Sequence, residues 1–206
     1  MGRKGGKQPQ EKKKNRPKSV ISQKNRYQAY VTSPIPIIQG LPVRDGKCVP
    51  LVVMSKMAWN RIDEIVMGDT SRECGALLLG NLCRDRITGA VIAFIDDAYT
   101  DGNYGDRSSY RFTAAMQADA VNYCMREYGE TKHVIGTIHS HGTHDAFFST
   151  VDDDMMRSRR SEEVHMVVSP SHGTYVLCYK GLDDEYSCAK LDVGSLGSFL
   201  YREGSS

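Results

Sequence analysis

The chain has 206 residues, of which 40% are hydrophobic and 25% are charged. This composition is typical of one globular domain and excludes a fully disordered or fibrous chain. No segment approaches the roughly 18 consecutive apolar residues of a membrane helix, and the lysine-rich N-terminus lacks the apolar stretch of a secretory signal. The six cysteines form no Cys-x-x-Cys pair, which favours reduced thiols. We therefore expect a soluble, non-secreted, cytoplasmic protein.

The net charge of +2 conceals an uneven distribution along the chain. Residues 1–26 carry a net charge of +9, so the remaining residues carry −7. A basic segment with so few apolar side chains predicts a flexible arm, whose partner could be a polyanion such as a nucleic acid or an acidic surface. The alternative is a solubilising tail without a dedicated partner.

Prolines divide the next segment into short apolar pieces, which predicts an extended linker over residues 27–50. The predicted domain follows at residues 51–192, and residues 193–206 form a C-terminal tail. The first element of the domain is a helix over residues 55–66, with Ser55 as its N-cap and Gly68 as its stop.

Two apolar strands are predicted next, at residues 73–80 and 90–95. Residues 109–113 predict a short strand that leads into a helix over residues 114–128, with Thr113 as N-cap and Gly129 after its end. Further strands are predicted at residues 133–141, 163–169, 174–179 and 186–191, with a short helix over residues 150–160. Helices that interrupt a mostly antiparallel set of strands predict a single α+β domain with about three helices.

The most informative segment reads Gly-Thr-Ile-His-Ser-His-Gly-Thr-His-Asp-Ala-Phe-Phe-Ser-Thr-Val-Asp over residues 136–152. In a strand, the period of two places His139 and His141 on one face. Asp152 follows Ser149 by three residues in the first turn of a predicted helix, which can aim its carboxylate at the two imidazoles. Two histidines and an aspartate with an open fourth position match the ligand set of a catalytic zinc.

Together with the upstream segment Glu73-Cys-Gly-Ala-Leu-Leu-Leu-Gly, the pattern His-Ser-His-x7-Ser-x2-Asp resembles the motif of the JAMM (MPN+, JAB) zinc metalloproteases. The resemblance covers residues 51–192, and every motif position is filled. It implies an MPN/JAB-type domain with one Zn²⁺ per chain on His139, His141 and Asp152, and a water in the fourth position. It also implies Glu73 as general base and Ser149 as stabiliser of the developing oxyanion.

Each of these residues also has a purely structural interpretation. Ser149 and Asp152 alone form a capping box, and the histidines or the glutamate alone could be ordinary polar residues. The combination favours the metal site. His144 has no position in the motif and is predicted to be exposed to solvent, and Cys74 is predicted to be a packed strand thiol rather than a nucleophile.

For function, the resemblance implies hydrolysis of an isopeptide or peptide bond in a protein or peptide substrate, such as the tail of a ubiquitin-like modifier. The short interval after Asp152 resembles the compact prokaryotic or viral members of the family, because the eukaryotic deubiquitinases carry insertions beside the site. Two alternatives belong to other classes. One is a non-catalytic MPN-type scaffold in a complex, and the other is a nucleic-acid-associated, RadC-like protein that binds through the basic arm.

Overall fold

The structure is a computed structural model that describes residues 50–84, 91–103 and 105–188, together with the backbone of four short strand segments outside these ranges. The predicted basic arm, nearly all of the predicted linker and most of the predicted tail lie outside the described residues. Their boundaries therefore stay predictions.

The helices are α1 (Lys56–Gly68), α2 (Ala114–Tyr128) and α3 (Thr150–Ser158), and a 3-10 turn at Gly129–Thr131 follows α2. The strands are β1 (Val43–Arg44), β2 (Lys47–Cys48), β3 (Leu51–Met54), β4 (Gly75–Arg84), β5 (Val91–Tyr99), β6 (His133–Ser140), β7 (Glu163–Ser169), β8 (Thr174–Lys180), β9 (Tyr186–Cys188), β10 (Lys190–Asp192) and β11 (Arg202–Glu203).

Most of the strands join one sheet in the order β10-β3-β5-β4-β6-β7-β8-β11, and β9 also pairs with β8. The longest pairings, β4 with β5, β4 with β6 and β7 with β8, are antiparallel. Strand β3 runs parallel to β5, and β6 runs parallel to β7. The predicted α+β fold, with a mostly antiparallel sheet and three helices, is confirmed.

The helices lie on opposite faces of this sheet, as the alternation of side chains along β4 shows. Ala76 and Leu78 belong to the large apolar core beneath α1, whereas Leu77 points to the other face and packs against α2. Helix α3 lies on the same face as α2. Its Met156 contacts Cys178 of β8, and the two neighbours of Cys178 in the strand belong to the α1 core, so Cys178 points to the opposite face.

Both long helices begin at the residues that the sequence predicts. The Ser55 hydroxyl accepts the backbone N–H of Ala58 at 3.1 Å, and the Thr113 hydroxyl accepts that of Met116 at 3.1 Å. Gly129 follows α2 with a φ of 60°, a left-handed conformation that favours glycine.

The predicted strand at residues 109–113 is wrong. Its alternation is real, because Tyr110 and Phe112 pack edge to face with their ring centroids 5.0 Å apart and extend the α2 core. Within the described part of the chain, however, no strand pairs with this segment. Alternation in the sequence shows which side chains share a face, but a strand also needs a neighbouring strand whose backbone it can hydrogen-bond, and alternation does not predict one.

Several predicted boundaries are also corrected. Strands β4 and β5 continue to Arg84 and Tyr99 because they pair with each other as a long antiparallel ladder. The predicted strand 133–141 ends at Ser140, and the predicted helix 150–160 ends at Ser158. Strand Leu51–Met54 was not predicted, since its four buried apolar residues show no alternation.

Two further expectations concern membranes and thiols. Among the described residues, no helix is both long enough and apolar enough to cross a membrane. The cysteines with described side chains are free thiols, namely Cys74, Cys83, Cys124 and Cys178.

Candidate metal centre

The site lies where β4 begins and β6 ends. In the antiparallel pairing of these strands, Gly75 lies opposite His139. Continuing this register by two residues brings Glu73 opposite His141, and residues opposite each other in a sheet share a face. The strand pairing therefore places the predicted general base beside both predicted histidine ligands.

The His141 side chain is fixed from two sides. Its Nδ1 lies 3.1 Å from the carbonyl oxygen of Asp145, and the Phe147 ring packs against the imidazole with centroids 4.7 Å apart. A carbonyl oxygen only accepts hydrogen bonds, so Nδ1 carries the proton. In the neutral imidazole the lone pair is then on Nε2, and this is the form that binds a metal.

Asp152 reaches the histidines from the first turn of α3. Its Oδ1 lies 2.9 Å from His139 Nε2, and its Oδ2 lies 3.4 Å from His141 Nε2. The carboxylate is oriented by Ser149, whose backbone N–H and hydroxyl donate to Oδ2 at 2.8 and 2.7 Å. The N-terminus of the helix thus determines the direction of the carboxylate.

These three side chains have the properties of a metal-binding group. Their ligand atoms all lie within 4.8 Å of one another, and the three residues are buried. Among the described residues, the buried His139 Nε2 has no well-aligned hydrogen-bond partner, although Asp152 Oδ1 lies 2.9 Å away. An unpartnered buried polar atom carries a free-energy cost that a bound cation would remove. Nitrogen and carboxylate donors in this number fit a zinc ion.

The charges in the cluster support one another. Burial alone would raise the pKa of Asp152, but the interactions with His139 and His141 outweigh it and hold the pKa well below its usual range. Burial alone would lower the pKa of His141, but the carboxylates of Asp152 and Glu73 outweigh it and raise the pKa. The carboxylate of Asp152 therefore stays ionised, as a metal ligand must be.

The pKa of Glu73 is shifted in the opposite direction to that of Asp152. Burial raises the pKa of Glu73, and the positive potential of His139 and His141 only partly offsets the effect. The negative charge of Asp152 raises it further. A carboxylate with a raised pKa accepts a proton more readily than an ordinary one, as a general base requires.

Two aromatic residues near the site were missed as site residues by the sequence analysis. Tyr110 lies over Gly75, where an added Cβ would come within 2.6 Å of its ring. Phe112 packs edge on towards His139, with centroids 6.4 Å apart. Both aromatic residues lie in the segment 109–113, for which the sequence analysis predicts only a short strand. The Asp145 carbonyl could not have been found, because a backbone group leaves no signal in the sequence.

The residues set aside in the sequence analysis lie outside the cluster. His144 is exposed to solvent, as predicted. Cys74 is buried, and its thiol lies 3.2 Å from the Ile65 carbonyl and 3.2 Å from the Ser140 hydroxyl. Burial raises the pKa of the Cys74 thiol, so it is a packed and unreactive side chain.

Comparisons with known proteins bear on the family and the fold of the chain. A family model for prokaryotic homologs of the JAB domain matches residues 56–180. The fold is similar to the solution structure of a protein from Desulfitobacterium hafniense, with 16% sequence identity, a TM-score of 0.50, and coverage of 69% of this chain and 93% of that chain. No curated protein matches the sequence. The family model matches more than half of the length of this chain, so the chain belongs to the JAB domain family.

Proposed function

We propose that the chain is a zinc-dependent metallopeptidase that hydrolyses a peptide or isopeptide bond. The observation that carries this proposal is the buried group of His139, His141 and Asp152, with Glu73 beside it just before the facing strand β4. A scaffold without catalytic activity would have no need of a base at this position. The JAB domain family includes metalloisopeptidases, which supports the same conclusion.

In this proposal, each side chain has a separate task. His139 and His141 supply two neutral nitrogens and Asp152 supplies one carboxylate oxygen to the ion. A zinc ion held there would lower the pKa of a water molecule and polarise the scissile carbonyl. Glu73 accepts the proton of the attacking water and then delivers it to the leaving amine. Ser149 is proposed to donate a hydrogen bond to the carbonyl oxygen as negative charge develops on it, for which its hydroxyl must turn away from Asp152 Oδ2.

The proposed substrate is an extended protein tail, such as that of a ubiquitin-like modifier. Only the short segment from Arg159 to Glu162 separates α3 from β7, so no long insertion follows the metal group on this side. This short connection resembles that of the compact prokaryotic or viral members of the family. Proposed contacts with a polyanion belong to residues 1–26, which lie outside the described residues.

Metal analysis is the first test of this function. The purified chain should contain about one zinc per chain, and substitution of His139, His141 or Asp152 by Ala should each remove most of it, because a three-ligand site has no spare donor. His144→Ala is the matched control, since this exposed histidine lies near the site and should be dispensable. Full zinc retention in any two of the ligand variants, or iron in place of zinc, would contradict the assignment.

The second test separates an enzyme from a scaffold. The substrates are a β-grasp protein with a Gly-Gly tail extended by a short peptide, and the same tail peptide alone. Glu73→Gln should keep its zinc and lose about 10²-fold or more in kcat, because the amide cannot accept the proton. A zinc-loaded wild-type chain that cleaves neither substrate would favour the scaffold.

A further inference from the structure

Helix α3 rests on a different kind of surface from helix α1. Beneath α1 the sheet is apolar, whereas beneath α3 it presents buried polar side chains from three neighbouring strands: Thr137, Glu163, His165 and Lys180. The strand register places Thr137 opposite His165, and Glu163 opposite Lys180. Buried polar groups of this kind add little to stability, but they define one arrangement of the parts that they connect.

Lys180 makes the most specific contact in this layer. The residue is only 2% exposed, and its ammonium group lies at the C-terminus of α3. Nζ donates to the backbone carbonyl oxygens of Met156, Arg157 and Arg159 at 3.1, 3.3 and 2.6 Å. The three donors of an ammonium group match these three acceptors. The carboxylate of Asp184 lies 3.4 Å away and offsets the charge.

This contact replaces the usual means of ending a helix. The last four carbonyl groups of an α-helix have no partner within it, and a glycine in the left-handed conformation often satisfies them. Here the C-cap is Arg159 in an extended conformation, with φ −87° and ψ 163°. A positive charge at this end is also favoured by the helix dipole.

Helix α3 depends on such external contacts more than most helices do. It has only nine residues, and its first half reads Thr-Val-Asp-Asp-Asp, which are all poor helix formers. A helix this short is not stable by itself in water. Its buried Met156 packs against Cys178, and its two ends are held by the capping box of Ser149 and Asp152 and by Lys180.

The two ends are mechanically connected. Nine residues of α-helix span only about 13 Å, so a shift or fraying of the last turn moves the first turn as well. The first turn carries Asp152. A zinc–carboxylate bond is about 2.0–2.2 Å long, so displacements of a few tenths of an ångström matter for the affinity of the site.

We propose that Lys180 is a positioning residue, which holds α3 so that Asp152 meets the metal together with His139 and His141. The inference rests on the proposed function, because it requires that Asp152 is a metal ligand. Lys180 touches neither the metal group nor the substrate. It acts through the helix, from the opposite end.

The test compares zinc affinity with local helix stability. Lys180→Met keeps the aliphatic part of the side chain and removes the ammonium. We expect its zinc dissociation constant to rise about tenfold or more, the loss typical of supporting residues around metal sites. In the metal-free chain, the amides of α3 should exchange with deuterium faster, while those of α1 stay protected. Lys180→Arg, which keeps the charge and the donors, should restore most of the affinity.

Asp97→Asn is the matched control for a general loss of stability. Asp97 is buried on β5, where it accepts the hydroxyls of Tyr123 and Tyr128 at 3.0 and 2.7 Å, away from α3. This variant should be less stable than the wild type, yet keep its zinc affinity. If Lys180→Met does not fold, Lys180→Gln retains a shorter donor and replaces it in the comparison.

Each outcome separates this inference from the proposed function. If Lys180→Met, or the Lys180→Gln variant that replaces it, binds zinc as tightly as Asp97→Asn, the inference is overturned and the proposed function stays intact. A wild-type chain that binds no zinc would overturn both. Faster exchange throughout the protein, rather than in α3 alone, would also contradict a positioning role.

Discussion

Ser149 and Asp152 bond to each other in both directions at the start of α3. The backbone N–H and the hydroxyl of Ser149 donate to Asp152 Oδ2, and the backbone N–H of Asp152 donates to the Ser149 hydroxyl oxygen at 3.2 Å. The capping box and the proposed metal group therefore share one carboxylate. A single serine therefore both starts the helix and orients the proposed ligand.

Ser149→Ala should separate these roles. Loss of the cap should lower the free energy of unfolding by about 1 kcal/mol. The backbone N–H of Ser149 still holds Oδ2 in this variant, so most of the zinc should be retained. If the hydroxyl also stabilises the developing oxyanion, kcat should fall by about 10²- to 10³-fold with KM nearly unchanged.

Ser149→Gly provides the control, because glycine at the N-cap costs only a few tenths of a kcal/mol and has no side-chain donor. It should recover the stability that Ser149→Ala loses without recovering kcat. Zinc content, kcat and KM are to be measured on the same preparations. Activity that falls only in proportion to lost zinc would show that Ser149 supports the helix and takes no part in the chemistry.

Because His165 is buried, the protein should lose folding stability in acid. The residue is buried beside Thr137, and burial, with a smaller contribution from Arg159 and Lys180, lowers its pKa from the ordinary 6.5 to about 3. At a pH between these two pKa values, His165 binds a proton in the unfolded chain but not in the folded chain. Stability should therefore fall as the pH drops below 6.5, by about 2 kcal/mol from this residue at about pH 5.

Denaturant unfolding of the metal-free chain at about pH 7.5 and about pH 5 tests this prediction. His165→Gln cannot titrate, so its loss of stability between the two pH values should be smaller than that of the wild type. His133→Gln, in which an exposed histidine of β6 is replaced, should behave like the wild type. Equal acid losses in all three proteins would exclude His165 as the source.

The sequence predicts those parts of the site that depend on local pattern. His139 and His141 are two residues apart in a strand, and Ser149 and Asp152 are three apart at a helix start, so period and capping chemistry suffice to place them relative to each other. Glu73 lies more than sixty positions before the histidines, and only the resemblance to a family connects it to them. The strand register then provides the physical reason.

The parts that were missed depend on long-range contacts or on the backbone. Lys180 follows an apolar strand and is of a residue type that is almost never buried without partners, so nothing in the sequence marks it as buried. Its partners are carbonyl groups, which every residue has. Tyr110 and Phe112 alternate as strand residues do, and only the packing against α2 and His139 gives their actual role.

Gly75→Ala should disturb the site through this aromatic packing. An added Cβ would come within 2.6 Å of the Tyr110 ring and 2.9 Å of the carbonyl oxygen of Ile138, the residue before the ligand His139. Both distances are too short, so the ring and the end of β6 must shift. We expect a loss of about 1–3 kcal/mol in the free energy of unfolding, together with weaker zinc binding.

The double variant with Tyr110→Ala measures how much of the loss comes from the ring, because that contact is then absent. If Gly75→Ala costs as much stability and zinc affinity in the Tyr110→Ala background as in the wild type, the backbone contact alone is responsible and the aromatic pair does not support the metal ligands.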